Sequence, residues 1–210
     1  MKKLLLIYPP FCTPACPPYS ITYLYSFLKN NTEKVKFDVL DLNLYFHNKK
    51  FGKFKEFFKN IDLSKYDEVS KDFNKETSIV YRENNKKIVY DEKPEMFDEI
   101  LDQILKNKPD IVAFSLVYSS QNFYTKSLVK ELKKKGIKTI VGGPAVNNLI
   151  GADLKLNNEI ELLNEIDSSI GHDDVNCETI LDFNIWKLAD YFITTPVIPI
   201  RTTSTCYYQQ

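Results

Sequence analysis

The chain has 210 residues, with 28 Lys and Arg against 28 Asp and Glu, 43% hydrophobic and 27% charged residues. That composition suits a folded domain with a sizeable core and excludes wholesale disorder or low-complexity architecture. The balanced charge removes a general electrostatic pull toward nucleic acid or an anionic membrane, so neither is expected as a partner.

Taken in chain order, Met1-Lys2-Lys3-Leu4-Leu5-Leu6-Ile7 begins like a signal peptide, but its apolar run stops at Pro9-Pro10 with no cleavage site behind it. Residues 3–8 therefore read as a buried first strand. No apolar run approaches the roughly 18–20 residues that span a bilayer, and a cytoplasmic protein is expected. Residues 11–18 form a loop rich in Pro and Cys. Residues 19–30 have helical spacing, and residues 36–42 make a second strand.

From about 46 to 93 the composition shifts to Lys, Asn, Glu and Phe, which marks an insertion. Phe51, Phe54, Phe57 and Phe58 have the spacing of an amphipathic helix. Residues 78–81 and 87–90 flank Asn84-Asn85 and predict a small β-hairpin. The insertion as a whole is expected to be a solvated surface elaboration.

A regular pattern then resumes. Residues 94–106 form a helix with a Pro start, 111–115 a strand and 121–135 a helix that Gly136 terminates. Residues 138–141 form the next strand, followed by the turn Gly142-Gly143-Pro144. Beyond 150 the signal weakens to a helix over 157–166, a polar loop over 168–177, a short helix or turn over 185–191 and an extended piece over 196–201. Alternation of strand and helix with short connections predicts an α/β, Rossmann-like (flavodoxin-like) open parallel sheet with helices on both faces. It spans residues 1–150, and 151–210 form a C-terminal segment and linker.

In such a sheet, ligands bind outside the carboxyl ends of the strands. The loops 9–18, 115–121 and 142–147 meet that criterion. Ser115, Ser119, Ser120 and Gln121 offer neutral hydrogen bonds and Tyr118 a flat surface. Gly142 and Gly143, followed by Pro144, let a planar or phosphorylated ligand lie against the main chain. The alternative is that the glycines only make a turn and the serines only cap a helix. No dinucleotide-binding glycine motif follows the first strand, and no phosphate loop of the NTPase kind occurs. His47 and His172 read as surface residues. Cys12 and Cys16 could bind a metal or form a local disulfide, but with no partner cysteines nearby they read as two loop thiols. No nucleophile–base pair marks a hydrolase, and no catalytic residue is assigned.

Three blocks in order resemble cobalamin-binding radical SAM enzymes: Leu5-Leu6-Ile7-Tyr8-Pro9-Pro10 with Pro17-Pro18-Tyr19, Pro109 to Ser115 continuing through Tyr118-Ser119-Ser120-Gln121, and Lys138 to Pro144. The stretches Leu181-Asp182-Phe183, Asp190-Tyr191-Phe192 and Pro196 to Thr203 resemble the linker into the radical SAM barrel, with Cys206 where the first cluster cysteine would stand. The resemblance implies an N-terminal cobalamin-binding-like domain of a longer enzyme, cut before the barrel and inactive alone. That enzyme would use a [4Fe–4S] centre and S-adenosylmethionine for methyl transfer or peptide modification on a small-molecule or peptide substrate. A single cysteine cannot hold that cluster. The loop after the first strand lacks the Asp-x-His-x-x-Gly that supplies a histidine to cobalt. The resemblance therefore implies either cobalamin bound without a histidine ligand or a fold that has lost the corrinoid. In the second case the domain would be a corrinoid-free scaffold for substrate or partner, with the Phe-rich insertion as its contact surface.

Overall fold

The structure is a computed structural model that describes residues 1–60, 63–193 and 198–199. Among these residues, β1 (Lys2–Tyr8), β2 (Val35–Asp41), β3 (Ile111–Ser115), β4 (Lys138–Gly142) and β5 (Leu154–Leu156) pair in parallel in the order β2-β1-β3-β4-β5. The fold is therefore a Rossmann-like α/β sheet of flavodoxin-like strand order, and the order reverses between β1 and β3.

The central strands β1, β3 and β4 are mainly apolar because both faces of the sheet are covered there, whereas the edge strand β2 also carries Lys36, Asp38 and Asp41. Leu4, Leu6, Ile111, Ala113 and Ile140 belong to a core with α1 (Tyr19–Asn31) and α7 (Glu159–Ile166). Their neighbours Leu5, Ile7, Val112, Phe114 and Val141 turn to the other face. There they meet side chains of α2 (Leu42–Lys50), α3 (Gly52–Lys59), α4 (Tyr66–Val89), α5 (Phe97–Lys106) and α6 (Gln121–Lys134). Gly136, at φ +73°, ends α6 as expected: its N–H bonds the Lys133 carbonyl and the Ile137 N–H bonds that of Leu132, the Schellman pattern. β5 and α7 carry the sheet and one helical layer past residue 150.

Between β2 and β3 the structure differs from expectation. No hairpin forms around Asn84-Asn85; residues 78–81 and 87–89 lie inside the 24-residue helix α4. The period that decides is helical: Val69, Phe73, Thr77, Asn84 and Ile88 are buried on one side. Asn84 is consumed inside this packing. Its Nδ2 donates to the Val80 carbonyl, and its Oδ1 accepts the Glu95 N–H, which ties α4 to the approach to α5. That tie delays α5, which begins at Phe97 rather than at the Pro start.

Nor is the insertion a solvated elaboration. Phe51, Phe54 and Phe73 are core residues and Phe58 packs against them, leaving only Phe57 of the four expected contact phenylalanines exposed, at 39%. The Phe-rich contact surface is absent because its members cover the sheet instead.

His47, expected at the surface, is 0% exposed. Its Nδ1 lies 2.7 Å from the Asn43 carbonyl, which can only accept, so Nε2 accepts from the Tyr81 hydroxyl. Tyr81 is on α4, so this bond clamps the insertion to α2. Burial is the main cause that pushes the His47 imidazole from an ordinary 6.5 down to about 4. The folded state thus disfavours the charged ring. The stability that this costs is absent above pH 6.5, and the loss grows as pH falls toward 4, reaching about 3 kcal/mol. Denaturant unfolding of the wild type and His47→Asn across that window should show their stability gap shrinking as pH falls. A gap that stays constant would contradict the buried neutral histidine.

Candidate functional site

Two cavities open at the carboxyl edge of the sheet, one on each side of the point where strand order reverses. The first, of ≈ 290 Å³, lies between the start of α1, the ends of β3 and β4, and the passage from β5 into α7. Leu24, Ala113, Ile140, Leu156 and Leu162 make its apolar floor. Tyr19 and Tyr23 stack along one wall, with ring centroids 6.0 Å apart and planes within 10°. At the rim the Tyr23 hydroxyl donates to Glu159 Oε1 at 2.9 Å, bridging α1 to α7. Asn158 caps α7 through the Glu161 N–H.

Of the site residues expected from sequence, Ser115, Gly142, Gly143 and Pro144 line this cavity. Ser115 is buried and donates to Ser20 Oγ at 2.9 Å. The glycines serve the loops themselves. A Cβ on Gly143, at φ +109°, would stand 2.3 Å from the Leu116 carbonyl oxygen, and one on Gly142 would stand 3.2 Å from that of Leu156. Their missing side chains let three strand-end loops approach one another, and the cavity is the space this leaves.

The remaining candidates do different work. Gln121 is 0% exposed: Nε2 donates to the Pro9 carbonyl at 2.8 Å, and Oε1 accepts from the Val117 and Tyr118 N–H groups. Ser120 donates to the Phe11 carbonyl at 2.6 Å and makes no helix cap. Both hold the β1–α1 loop against the β3–α6 loop. Ser119 offers its carbonyl to the Asn122 amide and is exposed. Tyr118, 52% exposed, faces the second cavity.

The second cavity, of ≈ 650 Å³, sits over the ends of β1 and β2 under the side of α4. Tyr8, Cys12, Cys16, Asp41, Asn43 and Tyr81 are among its lining residues. Asp41 was not singled out in the sequence; it is the last residue of β2, at the carboxyl edge where ligands bind. It caps α2 through the Leu44 N–H at 2.7 Å and accepts the Tyr191 hydroxyl at 2.9 Å. Burial outweighs these bonds and raises its carboxyl from 3.8 to about 6. Burial also pushes the Cys12 thiol up to about 12, and its Sγ lies 3.4 Å from the Tyr8 hydroxyl. Cys12 and Cys16 are free thiols, as expected. Among the described residues no group of three or more His, Cys, Asp or Glu side chains could hold a metal ion. Cys206, most of the expected extended piece over 196–201, and the side chain of His172 lie outside what is described.

Two substitutions test this arrangement. Gly143→Ala forces both a disallowed φ and a backbone collision, and is expected to cost about 2–4 kcal/mol in denaturant unfolding. A cost below about 0.5 kcal/mol would mean that the loops do not meet there. Asp41→Asn keeps an acceptor for Leu44 and removes a buried charge. Because the folded carboxyl titrates near 6 rather than 3.8, its ionisation costs stability as pH rises through that range. The variant should be more stable than wild type by about 1–3 kcal/mol at pH 7.5, with no gain at pH 4.

No family profile matches the sequence, and no curated protein matches it. Among solved structures the chain is similar to a crystal structure described as a novel cobalamin-binding protein from Desulfitobacterium hafniense DCB-2, at 14% identity and a TM-score of 0.44. The match covers 81% of this chain and 60% of that one, so the chain spans less than two thirds of that protein's length. No helix among the described residues is long and apolar enough to cross a membrane.

Proposed function

We propose that this chain is the corrinoid-binding α/β domain of a radical SAM enzyme and that the first cavity takes the nucleotide tail of cobalamin. The observation that carries the reading is the cavity itself: ≈ 290 Å³, apolar in its depth, walled by stacked tyrosines and ringed by Ser115 and the Gly142-Gly143-Pro144 turn. A flat heteroaromatic base with a polar linker matches that combination of apolar slot and small hydroxyl rim. Each of the three sequence blocks of the family resemblance contributes to its lining: Tyr19 from the first, Ala113 to Ser115 from the second, and Ile140 with Gly142 to Pro144 from the third.

The residues fit cobalamin held without a protein histidine. The loop 9–18 contains no imidazole, and His47 is committed to Asn43 and Tyr81. Tyr118, exposed beside that loop, would shield the lower face of the ring. When bound, the corrinoid would supply cobalt-centred group-transfer chemistry. This chain's own residues would bind and orient it, with Ser20, whose hydroxyl accepts from Ser115, donating at the rim and Leu24, Ile140 and Leu162 excluding water. The [4Fe–4S] cluster, through Cys206, and S-adenosylmethionine belong in this reading to the enzyme's own barrel. A small molecule or peptide would be the substrate, and neither nucleic acid nor membrane would be a partner.

Titration of the purified chain with hydroxocobalamin, followed by visible absorbance and gel filtration, tests the reading. Co-elution with a base-off spectrum is expected. Leu24→Trp, which fills the slot from an accessible helix position, should abolish it. Cobinamide, which lacks the nucleotide tail, should bind at least about tenfold more weakly. Equal binding of the two corrinoids would overturn the placement of the nucleotide tail in this cavity, and no binding of either at high micromolar concentration would overturn the assignment and favour a corrinoid-free scaffold.

A further inference from the structure

We propose that the second cavity, over the ends of β1 and β2, is a recognition site for the ammonium group of a small organic amine. This inference does not rest on the corrinoid reading: it concerns a second cavity, which shares Tyr19, Ser20 and Val117 with the first and Tyr118 with the corrin face proposed above, and it is tested without corrinoid.

The argument starts from charge. Asp41 is a buried carboxylate on the cavity wall, and none of the cavity's lining residues is Lys, Arg or His. The titratable groups that face it are Tyr8, Cys12, Cys16 and Tyr191, each of which burial keeps in its neutral form. The groups that bond Asp41, the Leu44 and Asn43 N–H and the Tyr191 hydroxyl, are all neutral and leave part of its acceptor capacity unused. A buried charge without a charged partner is costly, and such groups are retained where a ligand supplies the counter-charge. The helix cap does not explain the choice of residue, since Asn or Ser caps as well as Asp without any charge.

The surroundings complete the recognition chemistry. Tyr8, Tyr19 and Tyr118 present aromatic surface to the same cavity, and ring faces attract organic cations. Beside the carboxylate, Asn43 is 1% exposed and lines the cavity. Its Oδ1 accepts the Cys12 N–H at 2.9 Å, which fixes the amide orientation beside the carboxylate. The cavity volume of ≈ 650 Å³ admits a small molecule of that kind.

The test uses benzylamine and benzyl alcohol, which share a ring and differ in charge, titrated calorimetrically into the chain at pH 7.5. The amine should bind about tenfold more tightly than the alcohol. That preference should fade as pH falls through about 6, where Asp41 takes up a proton. Asp41→Asn should abolish the preference while the protein stays folded. Ser78→Lys offers an independent variant, because Ser78 is exposed on α4 at the cavity wall and a lysine there brings its own ammonium group to the site. It should reduce amine binding at least tenfold without loss of fold. Equal affinity of amine and alcohol in the wild type, no binding of either, or an amine preference that survives both substitutions would each overturn the proposal.

Discussion

The side-chain amide of Gln121 satisfies three backbone groups at once, the Pro9 carbonyl and the Val117 and Tyr118 N–H groups, from a fully buried position. Those groups belong to the loops that leave β1 and β3, the neighbouring strands at which the sheet order reverses. Both cavities share this seam as a wall. Loops at strand ends carry backbone groups that no ladder satisfies, so something must bond them or they must stay wet. Gln121, with Ser120 on the Phe11 carbonyl and Asn122 on the Ala145 carbonyl, does this from inside. The loops are thereby set before any ligand arrives, and the spaces beside them are shaped by the chain alone.

The insertion between β2 and β3 solves a second problem in the same way. Its phenylalanines cover the sheet face that α6 alone would leave short of apolar cover, and its polar interior bonds are few and committed: His47 to Tyr81, Asn84 to Glu95. Such bonds add little net stability but penalise any packing that would leave them unpaired. The insertion therefore has a defined seat, and α4 supplies the far wall of the second cavity as a rigid element.

Much of this was legible from residue order. The strands at 3–8, 36–42, 111–115 and 138–141 and the helices after three of them are continuous apolar runs or 3.6-residue stripes, signals that survive without tertiary information. β5 was not, because Leu154-Lys155-Leu156 is too short to show a period. The hairpin failed because Asn84-Asn85 carries turn chemistry locally, whereas the deciding residues Val69, Phe73 and Ile88 lie outside that window and act by packing. The glycines were located correctly, but their reason lay elsewhere. Ligand approach and loop approach make the same demand on a residue, and only the position of the Leu116 carbonyl separates them. His47 and Asp41 escaped for a related cause: a lone polar side chain gives no sign, from its residue type alone, of the burial that makes it matter.

Bonds beside the two cavities join residues far apart along the chain: Tyr23 to Glu159 at the first, and Asp41 to Tyr191, across 150 positions, at the second. During synthesis the amino-terminal strand and helix must therefore wait for residues near 160 and then near 190 before either cavity has all its walls. Loop closure over such separations is slow and yields little until the last contact forms. Nascent chains shorter than this expose the apolar faces of α1 and the β1–α1 loop. The interval between their emergence and the arrival of Tyr191 is the period in which those apolar faces lack their native cover.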